Sequence, residues 1–409
     1  MHILFLTDNF PPESNAPANR TYEHAKAWVK QGHKVTIVTC APNFPYGRVF
    51  KGYRNRLYQT EEMDGISVIR VWSFMTRNKG FLLRMIDFLS FMVSGFLGGL
   101  RVRGADLVIG TSPQFFTTCA ACLLAWVKRK PFIFEMRDIW PDSLSAVGVK
   151  RASVFVRLVK PLANFIYRRA DHIVVVTNSF RTFLQDHGIP KEKISVIFNG
   201  IDQEKFTAVE ADQALIEKLG LKTKFIVGYI GTHGMAHHLE TFVEAANLAA
   251  QSDQFSNLHF LTVGTGAEYE KIQTLSAGLK NMTMIGQVER DAIPRYWSIL
   301  DVAVIHLRND ALFETVIPSK MFEAMSMSIP ILHGVKGESA DLVQSHGVGL
   351  LFTPEQPNEL LDKLQTLMND SSLRAELRSN ALQAAKSFDR ADQAEKMILC
   401  LQESLSRHG

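Results

Sequence analysis

The stretch "FETVIPSKMFEAMSMSIPIL", Phe313 to Leu332, sets Pro318, Ser319 and Lys320 ahead of an apolar helical pattern, with carboxylates at Glu314 and Glu323. Proline stops an incoming strand and is tolerated at a helix start. The free amides and dipole of a helix start favour an anion, so a lysine there is out of place unless an anion lies beside it. Glu323 follows one turn in, between Phe322, Ala324 and Met325, which puts a carboxylate in a half-buried stripe. A helix that only packed would need neither group, whereas one that held an anionic ligand would use both. The plain alternative is a surface Lys320 paired with Glu323 at i, i+3.

Other residues of suitable type sit after apolar runs. "GTHG" supplies Gly231, Thr232, His233 and Gly234 as a compact backbone cradle, with His237 following. "VGTG" contains Gly264 and Gly266, a weak signal by itself. "EMRDIWPDS" puts Arg137 and Asp138 at the carboxyl end of a strand, where sites form in open α/β sheets. A buried Asp–Arg pair that shapes the loop is the competing reading. Cys119 and Cys122 have metal-like spacing but sit in an apolar helical stretch without a second ligand pair. They read as two buried thiols, and four scattered cysteines suit a reducing cytoplasm.

These residues need strands and helices to position them. "HILFLT", "KVTIVTC", "DLVIGT", "PFIFEM", "HIVVVT" and "ISVIF" recur between helical stretches, and a second round runs from "FIVGYIG" to "VGLLF". Continuous apolar strands alternating with helices predict parallel sheets wrapped by helices. At 409 residues the chain fits two domains. The polar run "NGIDQEKFTAVEADQALIEKLGLKTK" reads as the linker. The boundaries are 1–203, 204–390, and 391–409 as a helix returning to the first domain. The expected fold is two Rossmann-like domains facing across a cleft.

Charge is divided. Residues 1–200 carry 27 Lys and Arg against 14 Asp and Glu, and residues 201–409 carry 18 against 27. The basic half points to an anionic partner. Its charges follow no recognition motif, so an anionic membrane surface is favoured over nucleic acid. "FLLRMIDFLSFMVSGFLGGL", Phe81 to Leu100, has membrane-spanning length but contains Arg84 and Asp87. With Ser94 and Arg101 they form a narrow polar stripe. The segment is either core-packed or dips into a membrane interface with Phe88, Phe91 and Phe96 towards lipid. Lys128-Arg129-Lys130, Lys150-Arg151 and Arg168-Arg169 favour the second reading. "MHILFLTDNFPP" has no basic start and reads as no secretory signal.

The blocks "FPPESNAPANR", "GHKVTIVT", "VIFNGID" with Phe206, "VGTG" and "PSKMFEAMSMSIPIL" occur in an order that resembles the family-4 glycosyltransferases of GT-B fold. "APNFPYG" and "RDIWPDS" are similar to a bacterial branch that adds amino sugars of the L-fucosamine type in O-antigen, capsule or colanic-acid-type polysaccharide synthesis. The resemblance implies a retaining, metal-independent hexosyltransferase using a nucleotide-diphosphate sugar, UDP-linked, with no cofactor. It would add an N-acetylated amino sugar to a lipid-diphosphate-linked saccharide, as a cytoplasmic enzyme peripherally bound to the inner membrane. Glu323 then grips the ribose. The family's first glutamate, near the transferred sugar, should stand at Thr315, and Glu314 lies one place early; either the loop shifts by a residue and Glu314 serves, or Glu314 is a solvated loop acid and the role is lost. Thr232 and His237 stand where relatives carry a diphosphate-binding arginine and lysine, which leaves Ser319 and Lys320 to meet phosphate. Gly286 and Val288 fall where main-chain groups hold the base. Asn15 and Ala16 occupy a loop near the diphosphate that is glycine-rich in relatives. Arg137 and Asp138 lie near the donor sugar, and Arg20 and Asn43 fall to the acceptor, with an ordinary surface arginine as the plain alternative for Arg20. Two rivals stand beside this: a nucleotide-sugar epimerase of the same architecture, and a degenerate binding or scaffold protein.

Overall fold

The computed structural model describes residues 1–44, 46–76, 81–141 and 154–408. Its contacts divide the chain into two units, Met1–Asn199 with Arg390–Gly409, and Gly200–Asp389.

The first unit opens with β1 (His2–Leu6), a strand buried at every position, then α1 (Ala16–Lys30) and β2 (Lys34–Cys40). Asn15 caps α1 by accepting from the Ala18 amide at 2.9 Å, and Pro17 sits in its first turn. Next come β3 (Tyr58–Met63), β4 (Ile66–Val71), α2 (Phe81–Leu100), β5 (Leu107–Thr111), α3 (Phe115–Lys128) and β6 (Phe132–Met136). The series continues with α4 (Val154–Arg169), β7 (His172–Val175), α5 (Asn178–Asp186) and β8 (Ile194–Val196). The sheet runs β3-β4-β2-β1-β5-β6-β7-β8. All its pairings are parallel except that of β3 with β4. Strand order reverses between β2-β1 and β1-β5, so the carboxyl end of β1 is the switch point where such sheets open a crevice.

The β3–β4 hairpin was not expected. Its signal is Asp64-Gly65, a dipeptide suited to a two-residue hairpin turn. β3 alternates exposed and half-buried positions, as an edge strand does, and lacks an apolar run to announce it.

The second unit contains α6 (Gln213–Lys218), β9 (Phe225–Ile230), α7 (Glu240–Ala250), β10 (Leu258–Val263), α8 (Tyr269–Leu275) and β11 (Met282–Ile285). It goes on through α9 (Ile293–Ser298), β12 (Val302–His306), α10 (Ser319–Ser326), β13 (Ile331–Gly334), α11 (Glu338–His346) and β14 (Gly349–Leu351), then α12 (Pro357–Asn369) and α13 (Ser371–Ala385). Its parallel sheet runs β11-β10-β9-β12-β13-β14, the doubly wound order. The switch point lies between β9 and β12.

The run read as a linker is structured. Ile201, Phe206, Leu215 and Leu221 are buried, and the Phe206 carbonyl accepts from Ser326 Oγ on α10. Apolar residues spaced along a polar stretch anchor it; each such buried side chain contributes about 1.5–3 kcal/mol. The last helix, α14 (Arg390–His408), packs on α1 in the first unit. There the Trp28 indole donates to the Ala394 carbonyl at 2.9 Å, and Arg390 pairs with Glu23.

Candidate functional site

In the second unit the predicted residues gather at the ends of β9 and β10. Gly231 follows β9 with φ +141°, a conformation that favours glycine, and a Cβ there would fall on the Lys320 side chain. Gly264 follows β10 with φ +139°, and a Cβ there would strike the Gly231 carbonyl. The two loops run side by side: Gly231 N–H donates to Val263 O at 2.8 Å, and His233 N–H to Thr265 O at 3.0 Å. The Glu268 amide closes back on the His233 carbonyl at 2.9 Å, beyond Gly266.

Lys320 leaves the start of α10 and reaches this cradle. Its ammonium lies 3.7 Å from the Tyr229 ring centroid and donates to the phenol oxygen. The Tyr229 hydroxyl in turn donates to the Thr232 carbonyl at 2.7 Å. Burial pulls the Lys320 ammonium down to about 7, against the opposing pull of Glu323. His233 is buried, stacks on Tyr269, and has two ring nitrogens without partners. Burial and the nearby Lys320 bring it down to about 4, and the same two causes hold His237 well below its ordinary range. Both imidazoles are therefore neutral at physiological pH. Neither histidine then supplies a cation here, and Lys320 is the basic side chain at this cluster whose protonated form a bound anion would favour. Tyr229 escaped the sequence reading. A phenol inside a buried strand, two residues before a glycine, was the available sign.

Ser319 is the first residue of α10, and no side chain caps that helix start. Glu323, one turn on, is half-buried, and its Oε2 accepts from the Trp297 indole at 3.0 Å. Trp297 was also missed, because it lies on α9 and only the fold brings it near. Glu314 sits in a single 3-10 turn with its side chain exposed, and its backbone packs against Gly337. Gly286 and Val288 lie in the loop after β11.

In the first unit a cavity of about 470 Å³ opens at the carboxyl end of the sheet. Asp8 and Asn9 line it beyond β1, Asn43 beyond β2, and Asp138 and Trp140 beyond β6. Asn15 also faces it, as do Arg84, Asp87 and Phe88 from α2. Ala16 is exposed at the start of α1. Arg137 parts from Asp138 and does not line the cavity. Its guanidinium belongs to a buried charged group with Glu135 and Arg20, and burial lowers it to about 10.

Arg20 does not face an acceptor. It is 1% exposed; Nε donates to Glu135 Oε1 at 2.9 Å, and the guanidinium also serves the carbonyls of Phe198 and Ile197 at 2.6 and 3.2 Å. Burial alone would raise the Glu135 carboxyl, but Arg20 and Arg137 outweigh it and hold the carboxyl below its usual range. The arginine is a core tie between α1, β6 and the segment after β8.

The apolar helix α2 is turned the other way from the expectation. Phe91 is 1% exposed in the core, and Phe88 and Phe96 pack against that core. The outward side carries Leu82, Ile86, Leu89, Val93 and Leu97. It continues on the neighbouring α3 with Leu123 and Trp126, and on α4 with Leu158 and Phe165. Leu82–Leu100 is long and apolar enough to cross a membrane, yet its inner side is built into this unit. Lys128 is engaged as a cap, donating to the Leu100 and Val102 carbonyls at 3.2 and 2.6 Å. Lys150-Arg151 lies outside the described residues, and Arg168 and Arg169 are exposed at the end of α4. Cys119 and Cys122 are free thiols, pushed by burial up to about 12 and 11.

Residues 15–200 match the family described as "Glycosyl transferase 4-like domain", and residues 212–384 match "Glycosyl transferases group 1". The chain is 25% identical over 337 residues to the putative colanic acid biosynthesis glycosyl transferase WcaI of Escherichia coli K12, covering 80% of this chain and 81% of that one. It is 23% identical over 316 residues to the probable glycosyltransferase WbjE of Pseudomonas aeruginosa, covering 75% and 76%. The crystal structure of Anabaena HepE in complex with UDP-glucose superposes with a TM-score of 0.73 at 18% identity, covering 98% of this chain and all of that one (100%). The fold is that of the GT-B proteins.

Proposed function

Because the chain carries a glycosyl transferase 4-like domain and a group 1 glycosyl transferase domain, and is thus a glycosyltransferase, we propose that it transfers an N-acetylated amino sugar from a UDP-linked donor to a lipid-diphosphate-linked saccharide. The pathway would be a bacterial surface polysaccharide, and the transfer retaining and metal-independent. The observation that carries the donor half is Lys320, held on Tyr229 beside the glycine cradle at the start of α10. As the bond to the sugar breaks, negative charge builds on the diphosphate, and a fixed cation with helix amides stabilises it.

Ser319 joins Lys320 at the phosphates. Glu323, oriented by Trp297, accepts from the ribose diol, and the loops holding Gly264, Gly266, Gly286 and Val288 take the base. Glu314 serves the transferred sugar. Asp138 helps to orient the reacting sugars, and Asn43 and Arg84 line the acceptor pocket. The outward faces of α2, α3 and α4 rest on an anionic cytoplasmic membrane surface, where the acceptor's lipid is anchored. HepE was crystallised with UDP-glucose and WcaI is named for colanic acid, which supports a UDP donor and a surface glycan.

Thermal-shift titration with UDP, GDP, ADP and dTDP tests the donor, since a ligand of the native state raises stability by RT ln(1 + [L]/Kd). UDP is expected to stabilise most, and UDP-N-acetylhexosamines to be turned over with a lipid-diphosphate saccharide. Stabilisation by GDP alone would refute the UDP assignment, and no shift with any of the four would refute the donor site.

A further inference from the structure

The cavity of the first unit holds an unpaired buried oxygen. Glu13 is 3% exposed, and its Oε1 accepts from the Asn43 and Phe44 amides at 2.7 and 2.8 Å. Its Oε2 has no hydrogen-bond partner, although the residue lines the cavity. Buried polar atoms are nearly always paired with protein or water, so an unpaired acceptor on a cavity wall is open to a hydrogen-bond donor from whatever enters the cavity. Asp8 lines the same space from the end of β1, and Asp87 lines it from α2, where it accepts from Ser73 Oγ at 2.9 Å. Arg84 is the cation on the wall among the described residues, with its guanidinium 5.7 Å from the Phe88 ring centroid. Trp140 and Phe88 add apolar surface.

We propose that this cavity binds the acceptor's terminal sugar as an uncharged ring, with hydroxyl groups donating to Glu13 and Asp87, and that it rejects a sugar bearing a carboxylate. The inference rests on the glycosyltransferase reading, in which the first unit takes the acceptor. A carboxylate only accepts hydrogen bonds, and a sugar hydroxyl donates. The volume lies within the usual range for small-molecule pockets. Among the described residues, four carboxyls, Asp8, Glu13, Asp87 and Asp138, line the wall against one arginine, Arg84. Burial raises Glu13 to about 7 and Asp8 and Asp87 to about 6, so the wall is most negative above pH 7, where the binding is measured. A second carboxylate inside it would meet like charge at low dielectric.

The test uses the full chain with p-nitrophenyl β-glucoside and p-nitrophenyl β-glucuronide, which differ only in oxidation at C6, and reads binding by calorimetry and saturation-transfer NMR. The glucoside is expected to bind saturably and the glucuronide at least about tenfold more weakly. Glu13→Gln keeps a carbonyl for the Asn43 and Phe44 amides but turns the unpaired acceptor into a donor. It should weaken the glucoside by about tenfold or more, the scale of one hydrogen bond to a charged group, with UDP affinity unchanged. Asp87→Asn gives the same reading should Glu13→Gln fail to fold. Equal binding of the two glycosides, no saturable glucoside binding, or wild-type glucoside affinity in a folded variant would overturn the proposal. Loss of UDP binding by the wild type would instead refute the donor reading, and the glycoside contrast would still decide the cavity.

Discussion

Lys320 sits over the ring of Tyr229 with its ammonium 3.7 Å from the centroid, and the same phenol ties down the Thr232 carbonyl. Burial lowers this lysine from 10.5 to about 7. The unfolded chain therefore binds more protons than the fold between those values. The cost of burying the charged form is present below pH 7, and stability rises as pH climbs from 7 towards 10.5. A bound diphosphate reverses the shift by favouring the ammonium. At pH 8, binding of a UDP-sugar should take up close to one proton by this linkage. Calorimetry in buffers of different ionisation heat measures the uptake directly. Lys320→Met should abolish it, and unchanged uptake would place the phosphate cation elsewhere.

The same lysine should matter most where charge develops. Lys320→Ala is expected to cut turnover by about 10²-fold, the scale of removing one oxyanion-type donor. It should weaken UDP more than UMP, which lacks the second phosphate. Equal weakening of both nucleotides, with turnover near wild type, would leave Lys320 only a packing role.

Glu323 is oriented by the Trp297 indole, 3.0 Å from its Oε2. Glu323→Ala should lose roughly 1.5–3 kcal/mol of nucleotide affinity, as for a hydrogen bond to a charged group. Trp297→Phe removes the orienting donor but keeps an apolar ring, so its loss should be smaller and in the same direction. If ribose is the partner, the penalty shrinks when 2′-deoxy-UDP replaces UDP. A penalty independent of the 2′-hydroxyl would refute the ribose contact.

Arg20 carries a stability prediction rather than a catalytic one. Removing one partner of a buried pair costs up to about 3–5 kcal/mol, and here the loss is expected at the lower end because Arg137 and the Thr111 hydroxyl still face Glu135. Arg20→Met should therefore lower the first unit's melting point sharply. Adding Glu135→Gln should restore part of it, which a double-mutant cycle would read.

How far the sequence disclosed this depended on separation along the chain. Parallel sheets were legible because β1, β5 and β9 are mostly apolar runs. Lys320 was legible because a cation at a helix start contradicts the dipole. Its partner Tyr229 is 91 positions away, and Glu135 lies 115 from Arg20, so only the folded chain shows either pair. The hairpin of β3 and β4 went unread because an edge strand alternates. The direction of α2 was hidden for the opposite reason: the helix is apolar on nearly every side, and periodicity does not say which side is buried.

That ambiguity frames the last prediction. The phenylalanines first assigned to lipid point inward, and the outward set includes Leu89 at 42% exposure, Val93 at 54% and Trp126 at 65%. Contiguous exposed apolar surface on one unit marks an interaction face. Arg157, Lys160, Arg168 and Arg169 are exposed on the same α4 that completes it. Each such cation near an anionic bilayer adds about 1 kcal/mol, screened by salt. The triple change Leu89→Gln, Val93→Gln and Trp126→Gln should abolish co-sedimentation with phosphatidylglycerol vesicles while the melting point stays near wild type. The inward triple Phe88→Ser, Phe91→Ser and Phe96→Ser should instead unfold the unit, since each change strips core packing. Wild-type sedimentation should weaken between low salt and about 0.5 M, where the Debye length falls to roughly 4 Å. Vesicle binding that survives the outward triple would refute the apolar face as the contact and leave only the basic residues to account for it.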